Sequence, residues 1–248
     1  MIVEAVCCSV RDAVLAESAG AHRIELCSAL EVGGLTPSIG MTEAVCEAVS
    51  IPVMVMVRPR AGDFTYDDSE WRVILADARA LLDAGASGLV FGALVHSAPN
   101  GPLSHSGGGG LGRGSGFRID PRAAEVAALA PGTCTFHRAL DAAADLVATA
   151  EEAMAIGYAR VLSSGGKPSA LEGALRLAEM QSAGATILAC GKVRAANVAE
   201  IVARSGATEV HLGPRRAVGE SFLNEIAAFG AQTELDETEV RDVLKALM

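Results

Sequence analysis

Apolar residues recur along this chain in two rhythms. Short runs rich in Val, Ile, Leu and Met begin near Ile2, His22, Val53, Gly88, Thr133, Arg160, Thr186 and Thr208. The run over Val53–Val57, V-M-V-M-V, is uninterrupted, as expected of a strand buried on both faces. Between the runs the period lengthens to that of a helix. Trp71, Ile74, Leu75, Ala78, Leu81 and Leu82 fall on one helical face, and Val240, Val243, Leu244 and Leu247 do so near the end. Ser9 with Asp12, and Asp67 with Glu70, have the spacing of helix caps. Gly20, Gly85, Gly157, Gly184 and Gly206 each precede a strand by a few residues, where left-handed backbone ends a helix. Eight strand–helix units joined by right-handed crossovers close into a single (β/α)8 barrel, an α/β fold with 1–248 as one domain. A doubly wound open sheet fits less well, because no G-x-G-x-x-G follows the first strand.

One segment breaks the rhythm. Ser97–Gly116 holds eight glycines and few apolar anchors, so it reads as a mobile insertion between the fourth strand and its helix. A lid is an alternative, with His96, His105 and Arg113 as its polar groups.

Composition narrows the function. A net charge of −10 without any basic cluster beyond Arg215-Arg216 argues against a nucleic-acid surface, and one Trp, two Tyr and six Phe leave few platforms for stacking bases. No apolar stretch approaches the roughly 18 residues needed to span a bilayer. The opening M-I-V-E-A-V lacks the features of a secretion signal, so the expectation is a soluble cytoplasmic protein. The six cysteines include no C-x-x-C pair, which excludes a zinc finger or a thioredoxin motif and suits reduced thiols.

The chemistry-bearing residues gather where strands end. Arg58, Arg60 and Asp63 follow the Val53 run, and F-H-R-A-L-D supplies His137, Arg138 and Asp141. Barrel sites lie at such carboxyl ends. Strand alternation puts Glu25 with Cys27, Thr135 with His137, and Glu209 with His211 on shared faces. Glu25, Arg58, His137 and His211 are therefore candidate catalytic residues, the imidazoles moving protons and the arginine holding an anion. The glycine turns S-S-G-G-K and C-G-K add Ser164, Gly165, Gly166, Gly191 and Lys192, with Arg60, as candidate anion-binding residues. They are not nucleotide P-loops, because neither Gly-Lys is followed by Ser or Thr. Glu4 lies inside the first strand, where a lone carboxylate is costly. It or Glu25 is expected to pair with Arg58. Cys7, Cys8, Cys27, Met54 and Met56 crowd the first three strands, where they fit a buried core or a soft Cu(I) site.

Five ordered motifs carry a resemblance: E-L-C with G-G-L-T-P-S (Glu25–Ser38), R-P-R-x-G-D-F-x-Y (Arg58–Tyr66), F-H-R-A-x-D (Phe136–Asp141), V-L-x-S-G (Val161–Gly165) and E-V-H (Glu209–His211). Over residues 1 to about 213 the chain resembles the CutC copper-homeostasis family. The resemblance implies a cytoplasmic TIM-type barrel associated with copper tolerance, with Cu(I) held by cysteines. It places Cys27 as one ligand; its other cysteine position is Val6 here, and of the flanking Cys7 and Cys8 only Cys8 shares that residue's parity. C-G-K at Cys190–Lys192 and the tail after Pro214 depart from the family pattern. Two readings stand. One is a copper-homeostasis protein binding Cu(I) through Cys27 and Cys8, with copper(I) the only cofactor in view. The other is a barrel enzyme performing acid–base chemistry on a small anionic substrate, phosphorylated or not. The partner is then a small anionic molecule or a metal ion, with neither nucleic acid nor membrane; a homodimer is left open.

Overall fold

The computed structural model of the chain describes residues 1–97, 116–218 and 232–248. The expected insertion lies almost entirely outside the described residues.

The first half alternates strand and helix: β1 (Ile2–Cys7), α1 (Val10–Ser18), β2 (Arg23–Leu26), α2 (Ile39–Ala48), β3 (Val53–Met56), α3 (Asp68–Asp83) and β4 (Gly88–Phe91). A short hairpin, β5 (Leu94–His96) with β6 (Phe117–Ile119), precedes α4 (Ala123–Leu129). Then come β7 (Thr135–Phe136), α5 (Leu146–Ala155), β8 (Arg160–Ser163), α6 (Ala170–Ser182), β9 (Ile187–Ala189), α7 (Val198–Ser205) and β10 (Glu209–Leu212). A second hairpin, β11 (Arg215–Ala217) with β12 (Thr233–Leu235), leads into α8 (Glu237–Ala246). Eight parallel strands close in the order β1-β10-β9-β8-β7-β4-β3-β2, the predicted (β/α)8 barrel.

The helix ends follow the sequence signals. Ser9 caps α1 by accepting from the Asp12 N–H, and Asp67 with Glu70 forms a reciprocal capping box on α3. The five helix-closing glycines all have positive φ, from +69° to +107°. No helix among the described residues is long and apolar enough to cross a membrane.

Strand alternation sorts side chains into two cores. Val3, Ala5, Cys7, Ile24, Leu26, Val53 and Val55 face outward and join Trp71, Ile74, Ala78 and Leu81 of α3 in one large cluster. Each such large side chain stabilises the fold by roughly 1.5–3 kcal/mol on full burial. The other parity faces the barrel axis. There Val6, Cys27, Met54, Met56 and Val90 form one apolar group, and Leu162, Leu188 and Cys190 another. The rest of the interior is polar.

Candidate active site inside the barrel

Register determines which polar groups meet. Glu4 pairs in the ladder with Arg23 on one side and His211 on the other, and Thr135 pairs with Arg160. The side chains follow. The Arg23 guanidinium bonds Glu4 through Nε and Glu209 Oε2 through Nη2 at 2.6 Å. Arg160 Nε lies 3.0 Å from Glu209 Oε2, and His211 Nδ1 lies 2.8 Å from Glu4 Oε1. Burial alone would raise the Glu4 carboxyl, but the His211 hydrogen bond and the Arg23 charge hold it at about 2. Burial would lower the His211 imidazole, yet the charge of Glu25 and the bond to Glu4 raise it. Glu25 is in the opposite situation. Burial pushes it up to about 7 and Glu4 adds to the rise, while His211 and Arg23 pull against it. Its Oε2 is buried without a hydrogen-bond partner.

Arg58 corrects an expectation, because it pairs with neither Glu4 nor Glu25. Its Nη1 donates to the carbonyls of Val32 and Gly34 at 2.9 and 3.1 Å, and its Nη2 to that of Gly62 at 2.9 Å. The guanidinium also stacks over Phe64, 4.9 Å from the ring centre. The arginine therefore ties the β2–α2 loop to the β3–α3 loop. The partner sought for Glu4 is Arg23, two residues before Glu25 on the same face of β2.

That loop closes over sulfur. Cys8 Sγ and Cys27 Sγ lie 3.9 Å apart, far beyond the ~2.05 Å of a disulfide. Gly34, at φ +88°, packs so closely that a Cβ would sit 3.3 Å from Cys27 Sγ and 3.5 Å from Met56 Cε. Only glycine fits both that backbone and that space. Cys27 is buried and Cys8 half-buried. The hydrogen bond between them pulls Cys8 below the ordinary thiol range and, together with burial, drives Cys27 well above it.

His137 stands at the end of β7, packed on Gly92, where a Cβ would come within 2.5 Å of Nδ1. Nδ1 accepts from the Ala139 N–H at 3.2 Å, which leaves the proton on a buried Nε2 without a partner. Burial and the Arg58 charge push this imidazole down to about 3, so it is neutral at pH 7.

The expected anion-binding residues other than Lys192 make hydrogen bonds within the chain. Arg60 bonds Glu70, Asp63 Oδ1 at 3.1 Å and the Thr65 carbonyl at 2.7 Å, bracing the start of α3. The Ser164–Gly166 turn encloses the carboxylate of Asp141. It accepts from Ser163 Oγ at 2.6 Å, the Gly166 N–H at 3.0 Å, the Ser164 N–H at 3.3 Å and Arg138 Nε at 2.9 Å. Gly165 N–H donates to Ser163 Oγ at 2.9 Å, and the Gly191 carbonyl accepts from Ala170. Lys192 is exposed, with its backbone in the left-handed region at φ +56°. The carboxylate that this turn holds is the protein's own Asp141. Residues missed as site members are Arg23 and Arg160, while Asp141, singled out at its strand end, was not assigned the part of filling the turn.

Comparison with known proteins places this geometry. The model of the CutC family matches residues 1–100 and 116–215. The chain belongs to the CutC family. The human copper homeostasis protein cutC homolog is 40% identical over 246 residues, covering 96% of this chain and 83% of that protein. The CutC family protein of Xylella fastidiosa strain Temecula1 is 40% identical over 215 residues, covering 85% and 73%. Among solved structures, one assigned to the copper homeostasis protein CutC of Streptococcus agalactiae superposes with a TM-score of 0.72 at 26% identity, covering 86% of this chain and 98% of that one. A thiamine phosphate pyrophosphorylase from Pyrococcus furiosus shares the barrel alone, at 13% identity and TM-score 0.56 over 99% and 95%. Within this CutC chain, Val6 takes its place among the inward apolar residues, while the sulfur that meets Cys27 is that of Cys8.

Proposed function

We propose that this CutC chain acts in copper homeostasis by binding Cu(I) between Cys8 and Cys27, with the copper ion as its cargo. The observation that carries the proposal is the 3.9 Å separation of the two sulfurs, with Cys27 packed among the inward apolar residues. Thiolate and thioether are the donors that suit Cu(I), and Met54 and Met56 belong to the same inward cluster. Cys8 is primed, since its thiol is already lowered by the Cys27 hydrogen bond, and its half-exposure gives the ion access. The loop carrying Gly34, pinned by Arg58, supports this reading by covering Cys27. The curated relatives named for copper homeostasis are consistent with it.

The reading as an anion-processing enzyme has less support. Arg58 turns both Nη groups, and Arg60 its guanidinium, to acceptors of the chain itself, and Asp141 fills the glycine turn. Titration of the pure protein with Cu(I) against a competing chelator tests the copper proposal. One tightly held equivalent, lost in Cys27→Ser and in Cys8→Ser, is expected. Affinity unchanged by either substitution would refute it.

A further inference from the structure

The barrel carries a second donor set, chemically unlike the sulfurs. One donor atom from each of Glu4, Glu25 and His211 lies within 4.8 Å of the other two. Two further observations point to a ligand. Glu25 is only 3% exposed, and its Oε2 has no hydrogen-bond partner. A carboxylate oxygen in that position is costly until a proton or a cation meets it. The ion pairs of the interior also pass Glu25 by: Arg23 contacts Glu4 and Glu209, Arg160 faces Glu209, and His211 bonds Glu4. Among the described residues Glu25 enters no ion pair.

We propose that Glu4, Glu25 and His211 form a site for a divalent first-row transition ion, separate from the thiol pair. Glu25 Oε2 is its free oxygen donor. The 2.8 Å bond from His211 Nδ1 to Glu4 leaves Nε2 as the free nitrogen, the carboxylate–histidine arrangement that orients metal-ligating imidazoles. Glu4 adds the adjacent negative charge. Carboxylate and imidazole suit Zn2+, Mn2+ or Fe2+, whereas Cu(I) prefers the sulfurs. The site is reached from the His211 side: that side chain is 13% exposed, while Glu4 is sealed.

Zn2+ is the probe, applied by equilibrium dialysis to the Cys8→Ser/Cys27→Ser protein so that this thiol pair cannot bind it. One retained equivalent is expected. Adding Glu25→Gln, which keeps the side-chain shape, should weaken it by more than the ~10–100-fold that changes behind a ligand cost. His211→Gln should do the same, and thermal melting of each metal-free variant reports whether it is folded. No zinc retained by the folded double-serine protein, or equal affinity after Glu25→Gln and His211→Gln, overturns the proposal. The copper reading is judged separately. Cu(I) binding by the wild-type thiols should survive Glu25→Gln, and its loss in the cysteine variants would leave the zinc result unaffected.

Discussion

Replacing Arg23 by Met is the most informative single change to the barrel interior. Arg23 is 7% exposed and is the cation on both Glu4 and Glu209. Methionine fills similar length but leaves two buried carboxylates short of a partner. Breaking a buried ion pair by removing one member costs about 3–5 kcal/mol, because the remaining charge stays desolvated. Here the loss is cushioned: Arg160 still faces Glu209 at 3.0 Å, and His211 still bonds Glu4 at 2.8 Å. The lower end, about 3 kcal/mol, is therefore expected. A domain with about 5–15 kcal/mol in hand remains folded after such a loss. Urea unfolding at pH 7 measures it as a drop in the midpoint at constant slope. Adding Glu4→Gln should restore part of the midpoint, since an amide no longer needs a cation. A midpoint within experimental error of wild type for Arg23→Met would show that water or rearranged neighbours solvate Glu4, so that Arg23 is not needed to hold the buried carboxylates.

The other predictions concern single groups. Arg58→Ala frees three carbonyls in two loops and should cost about 2–4 kcal/mol, with weaker Cu(I) affinity as the Gly34 loop lifts from Cys27; equal melting temperature and affinity would make Arg58 incidental. Asp141→Ala strands the Ser164 and Gly166 N–H groups and should lower stability by about 2–4 kcal/mol, which a loss under about 0.5 kcal/mol would contradict. Glu25 keeps its proton in the fold up to about 7 against an ordinary 4.5, so the native state binds more protons in that window. Ionising it there costs stability as pH rises from about 4.5 to about 7, by at most about 3 kcal/mol, and Glu25→Gln measured with a chelator present should flatten that decline. An identical pH profile for the two proteins would show that Glu25 is solvated.

The barrel was legible because every strand carries an apolar outward face and five of its helices end on glycines, signals that are local in sequence. The β5–β6 and β11–β12 hairpins were not, since strands of three residues with exposed positions leave no period to detect. The family resemblance placed the second cysteine position at Val6, and parity with that residue then chose Cys8 over Cys7. Parity also put Glu25 on the inward face, and the parallel ladder then brings Glu4 and His211 beside it. The partners of Arg58 had no such signature, because backbone carbonyls are the same in every sequence. Arg23 was readable in principle: it shares the parity of Glu25 and lies in register with Glu4. The Ser164–Gly166 turn had the composition of an anion cradle, and only folding brings Asp141 from the preceding unit to fill it.

X-ray absorption at the copper edge of the Cu(I)-loaded protein tests the central claim most directly. A nearest shell made of sulfur, reduced by one sulfur in Cys8→Ser and again altered in Cys27→Ser, is the predicted result. A shell of nitrogen and oxygen that neither substitution changes would contradict it.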